Sequence, residues 1–471
     1  MLTSNNLKVS EHIEVSIGHP IHGAPAKLVV GDDEAFVIGF GARGSANGGV
    51  AAFTSSNCAE IWRYMIDAAV EGPCACDTTG RVIFGDYNGC LHILNTPSLE
   101  KRTSQTLGSP ILNPPLLLDE ANVIVAASNG VIATIDPRTG RIIRTAQANV
   151  RITSELIIGP RGKIISTTAT GSILQFDPIN GILTTIHDHK LLLYVAPVFI
   201  DDTTTVLADS RGSVSAISIA GSNPATPIWQ FHAKGGIRYS PTLKDGKLFL
   251  AAQDHYLYAL DARTGKEMWR YEMYGGATTR PLVLRGLVIV ADNRAHIYAI
   301  DDETGKLVWL EMAGKRIKNA DDPSVLESPQ VFGGFALVGQ QLIFGTYSGI
   351  VCSWPYPMNQ WEHVATRAAR DKRYDDAINT WLSSGQTDAR MRAAKLMNEH
   401  SQFLRAAALF IQAGHRLEAA QSYEEAARLA LSSDLWLEAA NLWRDLKELE
   451  QSRRIRRCGR RQDRRHSRTH Q

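Results

Sequence analysis

Long apolar runs, paired cysteines and a leader segment are all missing from this sequence. No uncharged apolar run reaches 18 residues, so we expect no membrane-spanning helix. The six cysteines are unevenly scattered, which excludes a small disulfide-stapled scaffold and favours a reducing compartment. The first residues, MLTSNNLKVSEH, have neither the basic segment nor the apolar core of a secretory signal. From these absences we expect a cytoplasmic protein.

Helical periodicity is also missing before residue 360, where the sequence instead repeats. A strand-like segment recurs as NGVIATID, TGSILQFD, RGSVSAIS, DHYLYALD and RAHIYAID, with weaker copies GGVAAFT, NGCLHILN and SGIVCSW. The copies are spaced by 40 to 43 residues, except for a last interval of 54. Each contains short alternating segments separated by turn residues, which is typical of a four-stranded propeller blade. The sequence therefore predicts a mainly β fold, an eight-bladed β-propeller of four-stranded antiparallel blades over residues 6–357, with seven blades as the alternative.

A small or polar residue followed by proline precedes the expected first strand of most copies. Because proline has no N–H to donate, it suits the first position of a strand. The prolines are Pro25, Pro73, Pro114, Pro197, Pro241, Pro281 and Pro329. The last copy leaves no room for a fourth strand, whereas the alternating segment Leu7–Ile17 precedes the first proline. We therefore expect this segment to supply the missing strand and close the ring.

The turn after the third strand repeats an Asp-x-x-Thr-Gly pattern, and in two copies a tryptophan follows four residues after the glycine. The aspartate suits hydrogen bonds to backbone N–H groups two or three residues on, and glycine supplies a positive φ. We interpret these residues as a structural repeat motif in which tryptophan packs blade against blade. They are Asp136, Thr139, Gly140, Asp261, Thr264, Gly265, Trp269, Asp301, Thr304, Gly305 and Trp309.

ALDARTGKEMW (259–269) and AIDDETGKLVW (299–309) resemble the repeat of pyrroloquinoline-quinone-type propellers. That family includes quinoprotein dehydrogenases, the assembly lipoprotein BamB and propeller modules of bacterial kinases. The resemblance implies the fold, but it does not imply one chemistry. A quinone-dependent dehydrogenase would need an adjacent cysteine pair, a Ca²⁺ site and a catalytic aspartate. The sequence has no adjacent cysteines, so we expect no enzyme and no cofactor. A BamB-like assembly factor is the other alternative, and the missing lipoprotein signal counts against it.

Four cysteines, Cys58, Cys74, Cys76 and Cys90, lie within 33 residues and raise the question of a zinc site. Their spacing lacks the two close pairs that structural zinc sites use. Other copies carry apolar residues at comparable positions, so we favour buried structural thiols and expect no metal.

Two connections are longer than the repeat requires, residues 39–49 and 313–328. Long loops on a rigid scaffold often carry function, and the alternative is a solvated insertion. The candidate partner-binding residues in these loops are Arg43, Asn47, Lys315, Arg316 and Lys318.

Residues 360–450 change to helical periodicity. One apolar face contains Tyr374, Ala377, Ile378 and Trp381, and another contains Leu404, Ala407, Ala408 and Ile411. The phrase Leu-x-Ala-Ala-x-x-aromatic occurs at 404–410, 417–423 and 437–443. This pattern is similar to tetratricopeptide-type helical hairpins, which usually present a concave binding face. A helical cap on the propeller is the alternative.

Residues 451–471 carry nine arginines and one aspartate in a chain of formal net charge +2, so the rest is mildly acidic. We expect a disordered Arg-rich tail, and nucleic acid could bind only there. For the whole chain we expect a monomeric, non-catalytic scaffold or sensor. It would bind a protein or peptide partner through the propeller face and the helical groove.

Overall fold

The computed structural model describes residues 12–355 and 373–445. The short gaps are 31–32, 97, 104–105, 190, 220–226, 285, 314–316, 319–325, 328, 384–386, 413–414 and 431–432. The chain divides into two compact units, Met1–Tyr356 and Pro357–Gln471. The first is built from strands and the second from helices. In the described residues, no helix has the length and apolar character needed to cross a membrane. The predicted tail at 451–471 lies outside the described residues.

The first unit contains eight four-stranded antiparallel sheets, which confirms the prediction of an eight-bladed propeller. Blade 1 consists of β2 (Ala26–Val30), β3 (Asp33–Gly41), β4 (Gly48–Thr54) and β5 (Glu60–Ile66). Blade 2 consists of β6 (Ala75–Cys76), β7 (Arg81–Gly85), β8 (Leu91–Asn95) and β9 (Glu100–Thr103). Blade 3 consists of β10 (Leu116–Asp119), β11 (Asn122–Ala126), β12 (Val131–Ile135) and β13 (Ile142–Gln147). Blade 4 consists of β14 (Ile157–Ile158), β15 (Ile164–Thr167), β16 (Ser172–Phe176) and β17 (Leu183–Asp188), with a 3-10 turn at Pro160–Gly162.

The second half of the ring repeats this order. Blade 5 consists of β18 (Val198–Phe199), β19 (Thr204–Ala208), β20 (Ser213–Ser218) and β21 (Trp229–His232). Blade 6 consists of β22 (Thr242–Lys244), β23 (Lys247–Ala251), β24 (Tyr256–Asp261) and β25 (Glu267–Glu272). Blade 7 consists of β26 (Leu282–Leu284), β27 (Leu287–Ala291), β28 (His296–Asp301) and β29 (Leu307–Met312). A two-stranded hairpin, β30 (Ile317–Lys318) and β31 (Leu326–Glu327), precedes blade 8.

Blade 8 joins the two ends of the propeller unit. It consists of β32 (Ala336–Val338), β33 (Gln341–Gly345), β34 (Ile350–Pro355) and the N-terminal strand β1 (Ile13–Ser16). β1 pairs antiparallel with β34, from Ile13 opposite Ser353 to Ser16 opposite Ile350. This pairing confirms that the N-terminal segment supplies the fourth strand and closes the ring.

The two middle strands of each blade form the core. All five residues of β27 are buried, for example, whereas the fourth strand β29 is mostly half-buried. The middle strands of each blade are covered on both faces, one face by each neighbouring blade, which explains their continuous apolar runs. First strands of neighbouring blades contact each other, as β2 does with β6 and β32, so the first strands surround the axis.

The proline marker is only partly correct. Pro25, Pro197, Pro241 and Pro281 directly precede a first strand, but in blade 3 that residue is Pro115, in blade 2 Cys74 and in blade 8 Phe335. Pro329 lies seven residues before β32, so its assignment as a marker is wrong. The long connection into blade 8 contains a Ser-Pro pair that matches the marker but does not precede the first strand.

Five helices of the second unit are described: α1 (Tyr374–Ser383), α2 (Thr387–Glu399), α3 (Phe403–Gln412), α4 (Arg416–Ala430) and α5 (Ser433–Asp445). Each helix contacts the next one along the chain. The alanine pairs of the repeated phrase, Ala406–Ala407, Ala419–Ala420 and Ala439–Ala440, are fully buried. The face predicted from Leu404 and Ile411 is wrong, because both are more than 40 % exposed. Ala406, Ala407 and Phe410 form the buried face of α3 instead.

Candidate functional site

The two ends of the propeller have different construction. In every blade, the turn between strands two and three and the crossover from strand four to the next blade lie at the same end, because neighbouring strands are antiparallel. We call this end the crossover face. We call the opposite end, which carries the turns between strands one and two and between strands three and four, the hairpin face.

The repeated Asp-x-x-Thr-Gly turns lie on the hairpin face. Asp261 accepts hydrogen bonds from the backbone N–H of Arg263 (3.1 Å) and Thr264 (2.8 Å) and from the Thr264 hydroxyl (2.8 Å). The Thr264 hydroxyl is the main cause of a lowered pKa at Asp261. Gly265 takes a φ of +68°. The same bonding recurs around Asp301, Thr304 and Gly305 and, with small changes, around Asp136, Thr139 and Gly140.

The tryptophans of the fourth strands contact the next blade. The indole N–H of Trp269 donates to the backbone carbonyl of Asp302 at 3.1 Å, and its ring lies over Gly305. Trp309 donates to Glu311 at 3.1 Å and meets Trp354 of blade 8 edge-on at 5.8 Å. Their polar groups are satisfied within the ring, so these tryptophans belong to the scaffold.

The described parts of both long connections belong to the crossover face. Arg43 and Asn47 are exposed in the turn between β3 and β4, and the connection carrying Lys318 is the crossover from blade 7 to blade 8. Lys318 lies in β30, whereas Lys315 and Arg316 lie outside the described residues. The described parts of the two candidate loops therefore belong to the same end of the ring.

Arg43 makes an ion pair with a buried carboxylate. Its Nε lies 3.0 Å and 3.1 Å from the two oxygens of Glu71, whose side chain is 5 % exposed. This hydrogen bond raises the pKa of Arg43. Burial lowers the pKa of the neighbouring His22, whose ring meets Tyr347 edge-on at 5.2 Å. The pair tethers the first long turn to the crossover between blades 1 and 2.

A second ion pair joins distant blades. Arg280 Nη1 lies 3.1 Å from Glu155 Oε1, although 125 residues separate the two in sequence. Arg280 precedes the first strand of blade 7 and Glu155 precedes the first strand of blade 4. Blades 5 and 6 stand between them, and the first strands surround the axis. The pair therefore lies over the axial opening on the crossover face.

Exposed charge on the crossover face is mostly positive. The described connecting residues at this end include seven exposed cationic side chains and one exposed carboxylate, Asp67. The cations are Arg43, Arg151, Arg211, Lys234, Arg238, Arg280 and Arg294. The described connections of the hairpin face are balanced, with Arg138, Arg141, Arg161, Arg263, Lys266 and Lys306 against Glu120, Asp201, Asp202, Asp245 and Glu303. The positive excess is confined to one end.

Several crossover-face aspartates do not contribute to that exposed charge. Asp209 and Asp292 are fully buried, and each accepts hydrogen bonds from the backbone of its own turn. Asp292 also accepts one from the Tyr298 hydroxyl at 2.7 Å. These carboxylates hold the turns that present Arg211 and Arg294 to solvent.

The residues around the axis do not fit a quinone held by Ca²⁺. Glu155, at the opening, is engaged by Arg280. Within the part of the chain that the structure describes, no three His, Cys, Asp or Glu residues are grouped so that they could hold a metal ion. Cys58, Cys74, Cys76 and Cys90 lie in separate connections or strands rather than around one point.

Sequence reasoning missed Glu155 and Arg280. Both stand two residues before a first strand, so aligning the repeats would have placed them at the same position of the blade. Only closure of the ring shows that they face each other.

The comparisons agree with this architecture. Residues 46–221 and 210–354 match the PQQ_2 family, described as outer membrane protein assembly factor BamB. BamB from Moraxella catarrhalis superposes with a TM-score of 0.55 at 15% identity, covering 73% of this chain and 98% of that one. Sqt1 from Saccharomyces cerevisiae gives 0.57 at 9% identity, with 73% and 98% covered. Chaetomium thermophilum Sqt1, bound to the N-terminus of ribosomal protein L10, gives 0.56 at 13% identity, with 72% and 99% covered. At these identities the likeness shows the fold. No curated protein matches the sequence.

Proposed function

The chain belongs to the PQQ_2 family of BamB-like propellers, and from this premise we propose that it is a non-catalytic scaffold that binds a protein partner on its crossover face. The observation that carries the proposal is the convergence of both long connections, exposed cations and exposed aromatic side chains at one end of a closed ring. Tyr274 and Tyr347 on this face are 57% and 49% exposed. Aromatic and arginine side chains are the residues most enriched at protein interfaces.

The helical unit offers a second surface for the same function. The first leucine of each repeated phrase is about half exposed: Leu404 at 50%, Leu417 at 44% and Leu437 at 52%. Leu404, Leu429 and Leu435 also line a groove of about 490 Å³. Exposed leucines beside a groove favour an apolar partner segment. We propose that this tetratricopeptide-like array binds a second partner, so that the chain brings two proteins together.

The cysteine thiols support a proposal for the cellular compartment of this scaffold. Five cysteines, Cys58, Cys74, Cys76, Cys90 and Cys352, are unpaired in the part of the chain that the structure describes. Unpaired thiols persist in a reducing compartment. We propose that the protein acts in the cytoplasm, and as a monomer because the ring leaves only the short outer strands of the blades as edges for pairing.

Site-specific photo-crosslinking tests the proposed face. Benzoylphenylalanine at Tyr274 or Tyr347, introduced into the full chain in its native cell, should capture the same partner, identified by mass spectrometry. Ile179 provides the matched control because it is 79% exposed but lies on the hairpin face. Capture of that partner with equal yield from Ile179 would contradict the proposal. Leu429, which is 68% exposed on α4, should capture a different protein.

A further inference from the structure

The ion pair between Arg280 and Glu155 over the axial opening resembles the contact that a carboxylate ligand would make with Arg280. Arg280 is 49% exposed and Glu155 27% exposed, so the pair is open to solvent. Exposed pairs of this kind contribute little free energy, because water screens the two charges. A carboxylate from another molecule therefore needs to outcompete only a weak internal contact in order to reach Arg280.

Neighbouring groups hold Arg280 at the opening. Its Nε lies 3.3 Å from the Thr242 hydroxyl oxygen, and that hydroxyl donates to the carbonyl of Pro281 at 2.6 Å. The guanidinium is thus positioned from blade 6 as well as from its own blade. An arginine fork can donate hydrogen bonds to a carboxylate in a directional, charge-assisted geometry.

The charge around the opening favours an anionic ligand. Arg238, Lys234 and Arg294 belong to the connections of blades 5 to 7 on the same face, and all three are exposed. None of them makes an ion pair within the described residues. The folded chain apart from its tail is mildly acidic, so this positive surface is a local feature. Such a surface attracts acidic ligands and orients their approach.

We propose that the crossover face binds an acidic segment of the partner, with one carboxylate of that segment displacing Glu155 from Arg280. This inference rests on the proposed function and names the chemistry of the partner. Glu155 acts as an internal competitor that occupies the site while the partner is absent. A carboxylate is favoured over a phosphate because the group that already occupies Arg280 is a carboxylate.

Fluorescence anisotropy with a labelled decaglutamate peptide tests this site in the full chain. Glu155→Gln should strengthen binding roughly two- to fivefold, because it removes a weakly held competing carboxylate. Arg280→Gln should weaken binding about tenfold, since it removes a charge-assisted contact. Both side chains are partly exposed, so the variants should keep the circular dichroism spectrum and unfolding midpoint of the parent chain.

Two variants on the hairpin face serve as matched controls. Arg138 is exposed and also paired with a carboxylate, Asp136 at 3.4 Å, and Glu120 is an exposed carboxylate. Arg138→Gln and Glu120→Gln should leave the affinity for decaglutamate unchanged. Equal weakening by Arg138→Gln and Arg280→Gln would overturn the proposal, because binding would then follow net charge alone.

Other results would also overturn it. They are absence of decaglutamate binding, an affinity unchanged or lowered by Glu155→Gln, and tighter binding of a ten-nucleotide thymidine strand than of decaglutamate. The last result would assign the face to nucleic acid. If any of these occurred while Tyr274 and Tyr347 still captured a protein, the scaffold function would stand and only its acidic partner would be wrong.

Discussion

Glycine in the turn after the third strand allows close contact between blades. A Cβ added to Gly265 would lie 2.3 Å from the ring of Trp229, the tryptophan of the preceding blade, whose N–H donates to the Ala262 carbonyl at 3.1 Å. Gly305 and Trp269 repeat the arrangement one blade later, with a Cβ at 2.7 Å. The glycine therefore serves both the left-handed turn and the seam between blades.

Gly265→Ala should destabilise the propeller more than Gly246→Ala. Both glycines have positive φ, +68° and +75°, so each alanine pays about 1–2 kcal/mol for the left-handed backbone. Gly246 has open space around its Cβ position, whereas Gly265 lies against Trp229. The clash should add about 1–3 kcal/mol. Urea unfolding followed by tryptophan fluorescence measures the free energy of unfolding of both variants. Equal decreases would show that the contact between blades adjusts to the added Cβ without cost.

The cysteine thiols of the propeller should react slowly in the native chain. Burial raises the pKa of Cys58 to about 11 and that of Cys76 to about 12, and it raises the pKa of Cys352 as well. The reactive thiolate is therefore scarce at pH 8. Iodoacetamide labelling read by mass spectrometry should be at least about a hundredfold slower at Cys352 than in 8 M urea.

A chelator distinguishes this interpretation from a zinc site. EDTA should leave the labelling rates of Cys58, Cys74, Cys76 and Cys90 unchanged. Faster labelling of these four residues after EDTA treatment would mean that a metal had protected them.

The sequence repeat predicts side-chain contacts within one turn more readily than contacts between distant blades. The bonding of Asp261 and Thr264 follows from a turn only a few residues long, so the motif contains all that is needed. The pair of Glu155 and Arg280 depends on the number of blades and on the diameter of the ring. The sequence around either residue specifies neither the number of blades nor the ring diameter, so the pair could not be predicted.

Among the elements, β1 is short, but its four residues join the first blade to the last. His12, next to it, stacks on Trp354 at 4.4 Å and lies 3.2 Å from Glu311 of blade 7. β1 could be predicted from the sequence because an alternating segment was left over at the N-terminal end of the repeats and the last repeat lacked a fourth strand. The buried face of α3 was harder to predict, since that helix is apolar around most of its surface.

Val15→Pro should destabilise the propeller more than Glu14→Pro. Ile17 donates its N–H to Gly349 at 2.9 Å, and bonded pairs alternate in an antiparallel ladder, so Val15 bonds to Val351 while the N–H of Glu14 points away from the sheet. Proline removes the N–H in both variants, but only at Val15 does it leave a carbonyl without its donor. The difference should be about 1–3 kcal/mol in the free energy of unfolding. Equal midpoints in urea would indicate that the ladder of β1 contributes little to closure.

At the scale of the whole molecule, the propeller is a circle of modules that cannot fold singly. Each blade contributes a sheet whose middle strands are buried on both faces, and only the neighbouring blades cover them. The approximately 40-residue period and the leftover N-terminal strand sufficed to predict eight blades. The positive crossover face could not be read in the same way, because its seven cations come from six different connections that only the ring brings together.

Two truncations test whether closure determines the stability of the first unit. A chain ending at residue 356 keeps all eight blades, and since the two units are separately compact, it should fold with a single cooperative transition by circular dichroism. A chain ending at residue 312 keeps seven blades but removes the partner of β1 and exposes one face each of blades 7 and 1. Exposed apolar faces and unpaired strand edges favour aggregation, so this chain should elute as aggregate in size exclusion and bind the dye ANS. A soluble seven-blade chain with a transition as steep as that of the eight-blade chain would mean that the blades are stable with one neighbour, and that the ring is not what holds this fold together.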